Sequence, residues 1–128
     1  MNKLLIISLL TAALLYGCLN GSSDVEGTLK KIDRKVYNLI SPYPDNNITI
    51  TFNNNQASGF AGVNSYTARI ETGPNKIKFL DIASTKAMGP AKLMAIENDF
   101  LSSLKNASKI VAVKDEVRLG NLVFKEAK

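Results

Sequence analysis

The sequence contains no histidine and no tryptophan, and its one cysteine is Cys18. Without histidine the chain cannot form a Ser-His-Asp triad, a His-paired cysteine nucleophile or a zinc site with histidine ligands. Ser84 and Lys86 have the spacing of a possible Ser-Lys dyad, but no residues near them in the sequence provide an evident oxyanion site. We therefore predict that the protein is not an enzyme and that it uses neither a metal nor a cofactor.

Two polar groupings could suggest other chemistry. Glu97 and Asp99 are two residues apart on a predicted helix, a spacing that does not place two side chains on one face. Asp45, Asn46 and Asn47 could offer oxygen ligands to calcium, but they lack the spacing of an EF-hand loop. A turn is the better interpretation of that run.

The N-terminal segment has the pattern of a bacterial lipoprotein precursor. Lys3 precedes an apolar run from Leu4 to Leu15, which is shorter than the ~20 residues that a membrane-spanning helix needs. The run ends in Leu15-Tyr16-Gly17-Cys18, which resembles the lipobox, where the cysteine is lipidated and becomes the new N-terminus. The alternative is a buried cysteine inside an uncleaved apolar helix.

The expected organisation follows from that cleavage site. We predict a signal peptide over residues 1–17, a lipidated tether over 18–24 and one domain over 25–128. The membrane is then a partner through the lipid on Cys18. Leu19 is not the aspartate associated with inner-membrane retention, so in a cell with two membranes the outer membrane, facing the periplasm, is the expected location.

The charge balance is mildly basic. Lysine and arginine number 16 against 11 acidic residues, which gives a net charge of +5. The basic residues are spread along the chain and form no cluster typical of a nucleic-acid interface. We predict a solvated surface and no nucleic-acid partner.

Apolar periodicity predicts strands, one helix and further strands. Alternation is clear at Ile48, Ile50 and Phe52, and it returns in the segments 66–71, 76–82, 110–113 and 117–124. The segment 27–39 is interpreted as a first strand or pair of strands. We predict an α+β fold in which a curled, half-barrel-like antiparallel sheet packs on one amphipathic helix.

The helix is predicted to follow Pro90, which suits a first helical position. Its apolar stripe consists of Leu93, Ile96, Phe100, Leu101 and Leu104. Lys92, Glu97, Asp99 and Ser103 lie elsewhere on the helical wheel. Asn106 is expected to end the helix as a left-handed cap.

The run Gly59-Phe60-Ala61-Gly62-Val63-Asn64 interrupts the alternating pattern. Gly59 and Gly62 allow a positive φ or a tight bulge, and Asn64 can satisfy backbone groups at a bend. Tyr66 is expected to pack its ring and expose its hydroxyl. We predict that the run bends the sheet and that Asn64 ties the bend to the strand end at Ser84-Thr85, with a ligand-binding loop as the alternative.

These motifs resemble those of a known family. SGFAGVNSY, residues 58–66, is similar to the SGxxGCNxY signature of the META domain, the domain of HslJ-like heat-shock lipoproteins. The run DIASTKAMGPAKLMAIENDFLSSL resembles that family's second signature, and VRLGNLVF fits its final hairpin. The resemblance carries over a set of family-motif residues with a structural role, or with a binding role as the alternative: Gly59, Gly62, Asn64, Tyr66, Ser84 and Thr85.

This chain departs from the family pattern in lacking both of the family's cysteines. The family's two cysteines fall on Val63 and near Gly89 in this chain. If those cysteines pair in relatives, losing both together is coherent, because one left alone would be a reactive thiol. The family's early tryptophan is missing as well.

The resemblance implies an envelope protein involved in stress or antibiotic tolerance, and it supplies no reaction. We expect a non-catalytic lipoprotein that binds a protein or another envelope component. The alternative is a small lipoprotein inhibitor of a hydrolase such as lysozyme.

Overall fold

The first described element is a helix, α1, over Val25–Ile32. A computed structural model describes residues 24–128, so the predicted signal peptide and Cys18 lie outside the described residues. Asp24 caps the helix by accepting a hydrogen bond from the Gly27 backbone N–H at 2.9 Å. Val25, Leu29 and Ile32 form its buried side. The interpretation of residues 27–32 as strand is therefore wrong: these apolar residues recur at i, i+4 and i+7, the spacing of one helix face.

The sheet contains eight antiparallel strands. In chain order they are β1 (Val36–Ser41), β2 (Thr49–Asn53), β3 (Gln56–Phe60), β4 (Ser65–Gly73), β5 (Lys76–Ser84), β6 (Ile110–Val113), β7 (Glu116–Leu119) and β8 (Leu122–Glu126). Their order across the sheet is β5-β4-β3-β2-β1-β8-β7-β6. The strand β1 thus joins the first and last parts of the chain by pairing with both β2 and β8.

The helix α2 covers Ala91–Asn106 between β5 and β6. Pro90 lies at the N-cap rather than at the first helical position, and the chain leaves the helix through an extended residue, Ala107 (φ −68°, ψ 135°). Asn106 is the last helical residue and has no positive φ, so the prediction of a left-handed cap there is wrong.

The core lies between α2 and the curled sheet. Phe100 on α2 packs edge-on against Tyr66 of β4 and Phe124 of β8, with ring centroids 5.5 and 6.3 Å apart. Such pairs add about 0.5–1.5 kcal/mol beyond the apolar area they bury. Phe100 and Phe124 have no exposed surface and Tyr66 is 2% exposed, so this trio fixes α2 against both halves of the sheet.

The helix α1 packs near the turns at one end of the sheet. The Thr72 hydroxyl donates a hydrogen bond to Glu26 at 3.3 Å, and the Arg34 backbone N–H donates to the Phe52 carbonyl at 2.6 Å. A further backbone hydrogen bond, from Ile77 at the start of β5 to Ser108 just before β6, links the two edges of the sheet.

The predicted fold class is confirmed: the domain is α+β, with a curled half-barrel sheet packed on α2, and α1 adds a second helix. Among the described residues, the buried apolar core runs from Val25 to Phe124. None of the helices within residues 24–128 has the length and apolar character to cross a membrane.

Candidate functional site

Asn64 and Glu97 are the two buried polar side chains among residues 24–128, each 3% exposed. Asn64 lies in the connection between β3 and β4, and Glu97 lies on α2. Burial of a carboxylate is strongly unfavourable unless hydrogen bonds replace its hydration. The contacts of these two residues are therefore the natural starting point for the site.

The Asn64 side chain uses its full hydrogen-bonding capacity. Its oxygen accepts from the Thr85 hydroxyl and from the Ala87 backbone N–H, both at 2.8 Å. Its amide nitrogen donates to the Ala87 carbonyl at 3.1 Å and to Glu97 Oε2 at 2.8 Å. An asparagine amide has two donor hydrogens and two acceptor lone pairs. No capacity remains for a ligand at this side chain.

Glu97 is held by three donors from the β3–β4 connection. Its Oε1 accepts the backbone N–H of Val63 at 2.9 Å and that of Asn64 at 2.7 Å, and Oε2 accepts the Asn64 amide. Burial is the largest single influence and raises the pKa of Glu97, but the hydrogen bonds from the Asn64 side chain, the Asn64 backbone and the Val63 backbone together outweigh it. The net effect is a lowered pKa, so the buried carboxyl is ionised at neutral pH.

The two glycines of the motif have different physical roles. Gly62 has a φ of 120°, which strongly favours glycine, and so permits the tight connection closed by the Ala61 N–H to Asn64 carbonyl hydrogen bond at 2.8 Å. Gly59 is required for close packing: a Cβ there would lie 2.2 Å from the Thr49 carbonyl oxygen. Gly62 thus shapes the turn, and Gly59 lets β2 approach β3 closely.

Tyr66 is buried along its whole length. Its hydroxyl donates to the Thr49 carbonyl at 2.7 Å, and the residue is 2% exposed. Burial raises the pKa of Tyr66 far above its ordinary value. The expectation of an exposed hydroxyl is therefore wrong. The phenol reaches a backbone acceptor inside the sheet instead of water.

The strand end at Ser84-Thr85 meets the motif as predicted. Ser84 pairs with Tyr66 across the β4–β5 ladder, and the Thr85 backbone N–H donates to the Ser65 carbonyl at 3.1 Å. The expected tie from Asn64 is present at the Thr85 hydroxyl and extends to Ala87. These residues form one assembly that we call the Asn64 network: Asn64, Thr85, Ala87, Glu97 and the backbone of Val63.

The sequence pattern places Glu97 off the apolar stripe of α2, and the structure corrects this because the residue is buried. The signal was present in the spacing. Leu93, Glu97, Phe100 and Leu104 recur at i, i+4, i+7 and i+11, which is one helical stripe. A glutamate in the middle of an apolar stripe indicates a buried carboxylate with a partner elsewhere.

Val63 and Gly89 lie in contact. A Cβ built on Gly89 would lie 3.6 Å from Val63 Cβ and 2.9 Å from one of its methyl carbons. Disulfide-bonded cysteines have Cβ atoms about 3.5–4.5 Å apart. Val63 and Gly89 therefore have the separation of a disulfide, which agrees with the resemblance that puts one family cysteine on Val63 and the other near Gly89, and the Val63 side chain fills the space here.

The remaining polar candidates lie at the surface. Asp45 and Asn47 are exposed, and Asn47 adopts a left-handed φ of 57°, as expected for a turn. Lys86 is exposed too. Within residues 24–128 no group of three or more acidic, histidine or cysteine side chains is placed to hold a metal ion.

The arrangement defines a class of protein: a small domain with a curled antiparallel sheet, one helix packed on that sheet and a fully hydrogen-bonded polar network where the two meet. A family model of the META domain matches residues 24–127. The chain belongs to the META domain family, which is not known as a family of enzymes.

Two solved structures resemble the domain. One is an NMR structure of a protein from Burkholderia xenovorans, with 19% identity, a TM-score of 0.58, and coverage of 80% of this chain and 88% of that one. The other is an NMR structure with 16% identity, a TM-score of 0.60, and coverage of 76% and 92%. At these identities the likeness concerns the fold alone. No curated protein matches the chain.

Proposed function

We propose that the protein is a non-catalytic lipoprotein of the bacterial cell envelope that binds a protein or another envelope component and contributes to stress or antibiotic tolerance. The observation that carries this proposal is the Leu15-Tyr16-Gly17-Cys18 sequence just before the domain. Six residues, Leu19 to Asp24, join the predicted lipid-bearing Cys18 to the first residue of α1. At 3.3–3.6 Å per residue they reach about 20 Å, so the anchor would hold the domain close to the membrane.

The Asn64 network supports a non-catalytic role. A general acid or base must have a free position within hydrogen-bond reach of a substrate. Asn64 has none, and Glu97 is 3% exposed with its two oxygens bonded to the β3–β4 connection. The network joins that connection, the end of β5 and α2, which is the behaviour of a structural support.

Lipid attachment is tested by expressing the full chain in a bacterium with lipoprotein-processing enzymes and labelling it with radioactive palmitate. The wild type and a Ser22→Ala control should incorporate label, and Cys18→Ala should not. Membrane fractionation should place the wild type in the outer membrane, and Leu19→Asp should move it to the inner membrane. Label on Cys18→Ala, or an intact mass showing a free Cys18 thiol, would overturn the anchor.

The physiological role is tested in a strain that lacks the chain. Survival after heat shock or antibiotic exposure should fall, and the wild-type gene should restore it. Cys18→Ala should restore it poorly, because the domain is then no longer held at the membrane. Equal survival of all strains would contradict the role in tolerance.

A hydrolase inhibitor is the second candidate, and the β1–β2 loop favours it. Asp45 is exposed in this loop, and the loop is fastened to α2 by a hydrogen bond from the Tyr43 hydroxyl to Asp99. An exposed carboxylate on a loop that is tied to the neighbouring helix suits insertion into an enzyme cleft. The test is lysozyme activity with added domain: inhibition that Asp45→Asn removes supports this candidate, and full lysozyme activity rejects it.

A further inference from the structure

The exposed aliphatic side chains concentrate on one part of the outer sheet surface. Of the five large apolar residues exposed in the described chain, four lie on β1 and β6: Val36 (45%), Ile40 (39%), Val111 (51%) and Val113 (59%). Half-buried Val123 of β8 lies among them. We call these five residues the aliphatic face. Scattered apolar residues on a surface need no explanation, but a grouped set indicates an interaction site.

The strand register places these side chains on the same surface of the sheet. Val111 lies opposite Arg118 of β7, and Arg118 lies opposite Val123 of β8. Val123 in turn lies opposite Ser41 of β1, which is the neighbour of Ile40. The adjoining row runs from Val113 through Glu116 and Lys125 to Asn38. Directly opposed residues of antiparallel strands share a face and lie about 4.5–5.5 Å apart. The five aliphatic residues therefore lie on one outer surface across β6, β7, β8 and β1, with polar residues between them.

The charged residues within and beside the aliphatic face are mostly basic. Glu116 is engaged by Arg118 through contacts of 3.0 and 3.1 Å. Lys125 is exposed in the second row, and the exposed Lys35 and Lys114 are the sequence neighbours of Val36 and Val113 at the ends of β1 and β6. Aliphatic groups with a net excess of basic charge form a surface suited to the boundary of an anionic bilayer.

The other half of the sheet has a different outer surface. On β4 the outward residues are Ser65, Thr67, Arg69 and Glu71, all exposed. Arg69 is paired there with Asp81 and Glu71 at 2.9 and 3.3 Å. Because the outward residues of β4 are polar and Arg69 is paired with Asp81 and Glu71, β4 provides an internal comparison for the aliphatic face.

We propose that the aliphatic face docks on the headgroup region of an anionic phospholipid membrane. This proposal rests on the lipid-anchored function proposed above, because the predicted tether would keep the domain within about 20 Å of the bilayer. The chain enters the domain at Asp24, and α1, which follows directly, packs against the edge strand β6. The anchor therefore joins the domain beside the strand that contributes Val111 and Val113.

The test uses residues 24–128, which carry the META domain and its described core without the lipid-bearing cysteine. Binding is measured by co-sedimentation with vesicles of phosphatidylcholine alone and with added phosphatidylglycerol. One variant combines Val36→Thr, Val111→Thr and Val113→Thr, which keeps β-branched residues at exposed positions. A second combines Lys35→Gln, Lys114→Gln and Lys125→Gln. The matched control combines Lys76→Gln, Lys78→Gln and Lys86→Gln, which removes the same charge elsewhere.

The domain should bind vesicles containing phosphatidylglycerol and not phosphatidylcholine alone. Each lysine near an anionic surface contributes about fivefold to binding, so the face-lysine variant should lose on the order of a hundredfold. The threonine variant should lose binding in proportion to the methyl groups that enter the interface, up to about fourfold each. The lysine control should stay within a few-fold of the wild type, and the melting temperatures of all variants should match.

Three results would overturn the proposal. One is no binding to anionic vesicles by a folded wild-type domain. Another is an equal loss in the face-lysine variant and in the lysine control, which would show an effect of net charge without a face. The third is a wild-type dimer in light scattering that the threonine variant abolishes, which would assign the face to a second copy. None of these three results depends on whether Cys18 incorporates palmitate. The proposal of lipid attachment and the proposal of membrane docking can therefore be refuted independently.

Discussion

Replacing Asn64 with alanine should destabilise the domain more than any surface change. The substitution removes four side-chain hydrogen bonds, to the Thr85 hydroxyl, the Ala87 N–H, the Ala87 carbonyl and Glu97 Oε2. It also leaves the buried Glu97 carboxylate without one of its three donors. An unsatisfied buried polar group costs about 1–3 kcal/mol, and more where a charge is involved.

The expected loss in the free energy of unfolding is about 2–5 kcal/mol, because the backbone donors to Glu97 stay in place and some exposed partners regain water. For a domain of this size, 1 kcal/mol shifts the melting temperature by roughly 4 °C or more. The measurement is thermal unfolding of residues 24–128 followed by circular dichroism, supported by urea titration. A drop of about 10–20 °C is the expected result.

The control is Asn98→Ala, one position from Glu97 on the same helix but exposed. It should change stability by less than about 0.5 kcal/mol. If Asn64→Ala melts within ~2 °C of the wild type, the Asn64 network is not a structural support. The motif would then have to be explained by binding.

Three further perturbations test the same region. The folded-state pKa of Glu97 is lowered from 4.5, so its stabilisation is fully present above that value and is lost as the pH falls through the lowered pKa. The Glu97→Gln variant should have a lower melting temperature at neutral pH, and it should lose less stability than the wild type between about pH 6 and about pH 3. If the stability of both proteins falls in parallel with pH, Glu97 is not an ionised, hydrogen-bonded group in the folded domain. The double variant Val63→Cys, Gly89→Cys should form a disulfide, which mass spectrometry detects as a loss of about 2 Da and which should raise the free energy of unfolding by about 3 kcal/mol. Free thiols that persist under oxidising conditions would refute the close approach of these two positions. Gly59→Ala should destabilise by several kcal/mol, on the order of a strained core substitution, because its Cβ would meet the Thr49 carbonyl at 2.2 Å; an unchanged urea midpoint would show that β2 moves aside freely.

Local pattern was sufficient wherever the two sides of an element face different environments. Ile48, Ile50 and Phe52 are fully or almost fully buried while Thr49 and Thr51 are half-buried, as the alternation predicted. The strand prediction for residues 27–32 fails, because the apolar residues there have the spacing of one helix face. Asp24, with a hydrogen bond to the residue three positions later, was the missing start signal.

The motif residues show where pattern stops being informative. The sequence indicated that Asn64 would satisfy the end of β5, and the Thr85 contact is there. It could not indicate that Glu97, 33 positions away, would share the network. A helical stripe marks the face that is covered, but it does not reveal whether hydrogen-bond donors from another element will meet a carboxylate on that face.

The sequence by itself determined most of the strands, the main helix, the turns and the family, because each depends on residues close together in the chain. Tertiary structure decided which polar groups are buried and which apolar groups are grouped at the surface. Glu97 is stabilised in the interior because the β3–β4 connection brings three donors to it. Val36 and Val113, far apart in sequence, lie on one face because β1 pairs with β8, β8 with β7 and β7 with β6. Both outcomes depend on strand order and register, which arise from the packing of the whole domain and not from any local segment.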